Sequence, residues 1–439
     1  MVRCQKGFLL VFGYLIYGTV SIGFAATLAA FSGFVWLVAF LIVRERVAIK
    51  KNILFWTGVI GGLALLGFFK YFNFFGQQAS ALISILGLEW AVPVVDLLLP
   101  LGISFYVFQS ISYLYAIRYQ SFKVASLPDL SLYLCFLPTL VAGPICRPTE
   151  LLTKLSSDLP RSWGHLNEIL LLITSFVVKK VWLASWLAQS VVNPVFADPG
   201  AFNGSELVLA AFSYALQIFF DFSGYTDLAK AAALLLGYNI PDNFNLPYLA
   251  ENLSEFWSRW HISLSSWIRD YIYIPLGGNR AGPWRMFINL MIAMALSGLW
   301  HGASLKYIFW GVFHGILLCV EKFLQRFGVR RIGILPTFFL VCIGWIFFRS
   351  PTLAASFSYL GNCLDWRAPL NPELPHLQVV LLIPICFLIW FKSSEILLAV
   401  KLGLDRLPPL LRPVPIAVII TIALALSPEG LPNFIYAQF

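Results

Sequence analysis

The chain is expected to be an all-α integral membrane protein with about ten or eleven transmembrane helices plus re-entrant and interfacial helices. Three observations predict this. Of its 439 residues 59% are hydrophobic and only 12% charged; its mean hydropathy is +0.80; and apolar runs recur from the N-terminal region to the last twenty residues. A helix needs about 20 such residues to cross a bilayer, and no soluble globular chain has this composition.

The first run, Gly7 to Phe24, follows Arg3 and Lys6, and the next, Ala26 to Val43, begins almost at once with no A-x-A-like site between them. It is therefore read as a retained helix and not a signal peptide. The net charge is +9, which basic cytoplasmic loops explain without nucleic acid. Basic clusters at Arg44 to Lys51, Arg118 to Lys123, Arg147 to Arg161, Arg259 to Arg285 and Lys322 to Arg331 mark those loops. Seven cysteines, none in a C-x-x-C pair, lie mostly inside apolar runs, so disulfides and zinc ligation are not expected.

Parity along the chain tests the loop assignment. Two spans, about Asn52 to Phe74 and Val92 to Ile117, separate the first two clusters. Between Arg118 and Arg147 a single run, Leu130 to Ile145, contains Pro138, Gly143 and Pro144, and the odd count with helix breakers suggests a re-entrant segment. Leu166 to Val192 and Glu206 to Leu236 restore parity. A hairpin from Phe287 to Cys319, with halves that look short for full crossings, carries Ser297-Gly298-Leu299-Trp300-His301-Gly302-Ala303; this places His301 at or beyond mid-membrane depth, away from the cytoplasm. Spans near Ile334 to Phe348, Leu377 to Phe391 and Val414 to Ser427 complete one polytopic domain over 1–439. No internal repeat is visible, which argues against the inverted-repeat architecture of many transporters. The segment 244–285 interleaves aromatic and basic residues, as in Phe256-Trp257-Ser258-Arg259-Trp260-His261, and reads as an interfacial or re-entrant element on the cytoplasmic face.

Five histidines occur. His165 and His376 lie in polar, Pro-containing loops and read as ordinary exposed side chains. His301 differs, because an ionisable group deep in an apolar hairpin is costly and is by default a functional hypothesis; Gly298 and Gly302 would admit a close backbone or substrate. His314, in Trp310-Gly311-Val312-Phe313-His314, faces either the same cavity or a neighbouring helix, and His261 is read as functional or structural on equal terms. A histidine suits proton abstraction from a hydroxyl near neutral pH. Attack on an acyl thioester then needs an oxyanion partner, for which a backbone N–H, Trp300 or an amide side chain qualifies. H-E-x-x-H, G-x-S-x-G, Walker A and dinucleotide patterns are all absent from the sequence, so no metal site is expected. Asp221 and Asp227, six residues apart in an apolar segment, fall on different faces of a regular helix and are read as struts, with Lys179 and Lys180 as candidate partners.

The motifs resemble the membrane-bound O-acyltransferase family, in its bacterial alginate O-acetyltransferase branch. The resemblance runs through Phe68 to Phe74, Pro100-Leu101-Gly102-Ile103-Ser104-Phe105-Tyr106, Ala142-Gly143-Pro144, the Asp221 to Asp227 segment, Glu255 to Ser265, Arg269-Asp270-Tyr271, Pro275-Leu276-Gly277-Gly278-Asn279-Arg280, Gly298-Leu299-Trp300-His301-Gly302 and Gly344 to Arg349. It implies a ring of tilted helices around a central tunnel. It also implies catalytic histidines at His301 (general base) and His261, with Trp300, Arg259, Trp260, Asp270, Asn279, His314, Asp221 and Asp227 as candidate tunnel-lining or substrate residues. On this reading acetyl-CoA or another acyl thioester is the cytoplasmic donor, and no cofactor is bound. The acceptor is an exported polysaccharide or a periplasmic esterase-like partner, and the site is the bacterial cytoplasmic (inner) membrane. Two alternatives remain: D-alanyl transfer from an acyl carrier protein to teichoic acid, and a non-enzymatic export component.

Overall fold

The computed structural model describes residues 2–88, 91–95, 98–140, 143–157, 165–280 and 282–430; Ala142 and Arg161, used above, lie outside them. The described residues contain helices and connecting turns and no strand. Five helices are long and apolar enough to cross a membrane, or six if one bent pair is counted as a single span. The chain divides into two compact units, Met1–Trp163 with Ala232–Pro241, and Gly164–Ala231 with Asp242–Phe439.

In the first unit, α1 (Val2–Val20) and α2 (Ile22–Arg44) are separated at Ser21, whose hydroxyl accepts from the Phe24 N–H and caps α2. The following α3 (Ala48–Ile85) is a continuous helix of 38 residues, longer than the span at 52–74 read from the sequence. It stays helical through a wide π-turn at Gly67–Tyr71, which a hydropathy reading cannot distinguish from a break. By contrast α4 (Ile103–Tyr119) is shorter than the expected 92–117. Gly102, with φ of 72°, starts it, and residues 91–95 are not helical but are clipped to α3 by two hydrogen bonds between Asn73 and the Val95 backbone. The broken segment expected at 130–145 is found as α5 (Leu127–Leu134) and a single turn, Leu137–Leu140.

The second unit is organised on α7 (Gly204–Leu235), whose apolar window is 83% buried, against 28% for α6 (Leu166–Ala197) beside it. A helix buried nearly all round must satisfy its polar groups internally. Lys180 on α6 donates to Asp221, while Lys179 and Ser175 each reach Asp227 at 2.7 Å. The two carboxylates thus form two rungs between α6 and α7, and Gly224 lets the α6 backbone at Lys180 pack against α7. At the other end of α7, buried Glu206 accepts from Asn203 and Asn371 backbone N–H groups and meets His376 Nε2 at 2.7 Å. His376 is therefore not the ordinary exposed residue the sequence suggested; its Pro-rich loop folds back onto the α7 N-terminus.

The segment 244–285 forms two short helices, α8 (Leu253–Arg259) and α9 (Ile262–Ile268), the second ending in a π-turn at Arg269–Tyr273. Trp257, Trp260 and Trp267 are all buried. Their rings pack into the protein, which aromatic-basic alternation does not encode. The hairpin is α10 (Pro283–His301) and α11 (Leu305–Gln325), longer than its apolar core at 287–319 because both outer ends stay helical. A Cβ at Gly298 or Gly311 would overlap the backbone carbonyl of Tyr307 or Met294, so these glycines set the close helix approach. The unit is completed by α12 (Ile334–Arg349), α13 (Leu353–Asn362), α14 (His376–Phe391), α15 (Ser393–Arg406), bent 73° from α14, and α16 (Pro413–Ala425).

Candidate active site

The site lies within the second unit, where the C-terminus of α10 meets the α8–α9 junction. His301 is the last residue of α10 and is 2% exposed; His261 caps α9 and is fully buried. Their ring centroids are 6.4 Å apart. Trp300 bridges them, 5.0 Å from His301 and 5.7 Å from His261. Trp310 of α11, perpendicular at 5.1 Å, and Phe348 of α12, at 5.3 Å, wall the other sides of His301. Such a lining excludes water, and electrostatic interactions inside it are strengthened accordingly.

His261 is held by a residue that sequence reasoning missed. It has a left-handed φ of 43°, a strained conformation for a side-chain-bearing residue, costing about 1–3 kcal/mol. Asn243 grips the strained turn: its carbonyl accepts from the Ile262 N–H at 2.9 Å, and its Oδ1 meets the Ser263 N–H at 3.1 Å, Ser263 Oγ at 2.9 Å and His261 Nδ1 at 3.2 Å. Because a backbone N–H can only donate, the Asn243 atom it faces is the oxygen, and His261 Nδ1 must therefore carry the proton. Burial pushes the imidazole pKa down to about 3, so His261 is neutral and its lone pair is on Nε2. The ring edge packs on Phe222 of α7 at 4.7 Å.

This geometry yields a mutational expectation. Asn243→Ala removes the acceptor shared by three donors, costing about 1–3 kcal/mol for the buried donors left unmet, and frees the His261 tautomer; Asn243→Asp keeps an acceptor oxygen. Thermal unfolding in detergent and initial transfer rates should rank wild type above Asp, and Asp above Ala. Equal activity in Asn243→Ala would show that the tautomer has no bearing on turnover.

The other sequence candidates divide. His314 joins the cluster, fully buried and 5.1 Å from the Trp310 ring. Trp260 stacks in the adjoining aromatic core against Phe256 and Trp345. Arg259 pairs with Glu255 and Arg269 with Asp270, both at 2.7 Å; Asn279 is exposed in a turn; and Asp221 and Asp227 are engaged with the α6 lysines. Beside Trp257 lies a pocket of about 330 Å³ whose lining includes Ser265, Ser266, Arg269, Tyr273 and Met294. No group of three or more His, Cys, Asp or Glu side chains among the described residues is placed to hold a metal ion.

Comparison with known proteins identifies the family. The model of the membrane-bound O-acyltransferase family matches residues 111–350, a stretch that contains His261, His301 and His314. The chain is 36% identical over 397 residues to the probable alginate O-acetylase of Pseudomonas putida, covering 87% of this chain and 80% of that protein. It is 32% identical to the peptidoglycan O-acetyltransferase of Helicobacter pylori, over 74% of this chain and 67% of that one. To the teichoic acid D-alanyltransferase of Bacillus subtilis it is 28% identical, over 58% and 70%. The chain belongs to the membrane-bound O-acyltransferase family, and it is a multi-pass membrane O-acyltransferase.

Proposed function

We propose that the protein transfers an acetyl group from a cytoplasmic acyl thioester, acetyl-CoA, to a hydroxyl of an exported polysaccharide at the bacterial cytoplasmic membrane, directly or through a periplasmic esterase-like partner. The observation that carries this reading is the pairing of two buried histidines in one aromatic enclosure on segments that the family model matches. His301 is the general base: it takes the proton of the acceptor hydroxyl as the oxygen attacks the thioester carbonyl carbon. The tetrahedral oxyanion collapses, the C–S bond breaks, and the thiolate recovers the proton from the imidazolium. Neutral His261, with Nε2 as acceptor, orients a donor group of the substrate. The pocket beside Trp257, with its serines and Arg269, suits the polar arm of the thioester. Relatives that act on alginate and peptidoglycan favour a polysaccharide acceptor and acetyl transfer; the D-alanyltransferase likeness is lower and covers less of this chain.

The test is a donor competition. Purified protein in lipid nanodiscs is given radiolabelled acetyl-CoA or a D-alanyl-loaded carrier protein, with polysaccharide or candidate partner as acceptor. Acetyl-CoA should support transfer and the loaded carrier should not. Transfer from the carrier alone would replace the acetylation reading with the D-alanyl one, and transfer from neither would remove the thioester reading altogether.

A further inference from the structure

Several buried side-chain nitrogens near His301 have no hydrogen-bond partner among the described residues: Nε1 of Trp257, Nε1 of Trp310 and both ring nitrogens of His314. The three side chains are contiguous, with ring centroids 5.1 to 5.6 Å apart. A buried donor without an acceptor costs about 1–3 kcal/mol, and such groups persist where a reaction uses them. Trp310 is the member of this cluster that also touches His301, and it is fully buried.

An indole N–H is a donor only; what Trp310 lacks is an acceptor. Its neighbour Trp345, stacked on it at 5.8 Å, has none of this deficit, since its Nε1 donates to the Tyr248 hydroxyl, which donates in turn to the Ala215 carbonyl. The Trp310 ring is held on further sides by Phe348 and Trp257, and its backbone is fixed by the tight contact of Gly311 with Met294. A rigid donor beside the base, in a water-excluded enclosure, is the arrangement that stabilises charge appearing only in a transition state.

Building on the acyl-transfer reading above, we propose that Trp310 Nε1–H donates to the carbonyl oxygen of the acyl thioester as it becomes the oxyanion of the tetrahedral intermediate. As the acceptor hydroxyl loses its proton to His301 and its oxygen bonds to the carbonyl carbon, the carbonyl electron pair moves onto the oxygen facing the indole. Collapse returns the pair, expels the thiolate and passes the His301 proton to sulfur. Trp310 exchanges no proton at any stage. The sequence offers a backbone N–H, Trp300 or an amide side chain for this task; the indole assigned here is one helix further on, in α11.

The experiment compares wild type, Trp310→Phe and a protein with benzothienylalanine incorporated at position 310, which keeps the indole shape but replaces N–H by sulfur. Steady-state transfer from labelled acetyl-CoA is measured in nanodiscs. Loss of one oxyanion donor lowers kcat by about 10²–10³-fold, and both replacements should show this with the donor KM unchanged. Full activity of the benzothienyl protein would show that the ring and not its N–H matters, and would overturn the assignment even if Trp310→Phe fails to fold. A rise in KM at constant kcat would overturn it as well, by assigning Trp310 to ground-state binding. Absence of thioester turnover by the wild type would remove the acyl-transfer reading and this inference with it, an outcome distinct from an active wild type with equally active variants.

Discussion

His301→Ala is expected to lower acetyl transfer by about 10²–10⁴-fold, the usual contribution of a positioned general base, while leaving the protein folded. The expectation of folding rests on the site. The His301 ring is enclosed by Trp300, Trp310 and Phe348, and the close α10–α11 contact depends on Gly298 and Gly311, not on the imidazole. His301→Gln keeps a polar group of similar reach without a useful base, so it should fall with the alanine variant; a purely structural histidine would let glutamine recover activity. The readout is initial rate from labelled acetyl-CoA, with thermal unfolding in the same detergent as the control. Wild-type rates in His301→Ala would move the base elsewhere, with His261 the next candidate. His261→Ala is the informative companion, because a neutral acceptor that orients substrate shows itself mainly in KM.

Much of this site was legible in the sequence, for a physical reason: a histidine in an apolar hairpin is expensive enough to stand out from its surroundings. His301 and His314 stand out that way, His261 stands out in the aromatic-basic segment, and the three lie in one contiguous aromatic cluster. Asn243 and Trp310 were not found. An asparagine in a polar turn and a tryptophan in an apolar helix are ordinary by composition; only coordinates show that Asn243 holds three donors on one oxygen or that Trp310 Nε1 faces no acceptor among the described residues. Arg259, Asp270 and Asn279, named by motif, sit in local ion pairs or an exposed turn. The helix boundaries were misjudged where hydropathy and backbone part company. A π-turn carries α3 through Gly67–Tyr71, and the non-helical residues 91–95 are as apolar as the helix expected over them.

Breaking the Lys180–Asp221 pair is expected to have the largest effect on stability. Both side chains are 3% exposed, in a medium where an unpartnered charge is far costlier than in water. Removing one partner from a buried pair costs about 3–5 kcal/mol, because the other charge remains without compensation, whereas replacing both with apolar residues of similar volume is close to neutral. Asp221→Leu and Lys180→Met should therefore each unfold well below wild type, and the double variant should recover most of the loss. The second rung provides the internal control: Lys179 and Asp227 are 27% and 21% exposed, so Lys179→Ala should cost less, toward the roughly 0–1 kcal/mol of solvent-reached pairs. Thermal unfolding of the four variants in one detergent decides the matter. The result that would refute the strut is a stable Asp221→Leu protein with reduced transfer, since a carboxylate dispensable for folding but needed for turnover belongs with the substrate path and not with the scaffold.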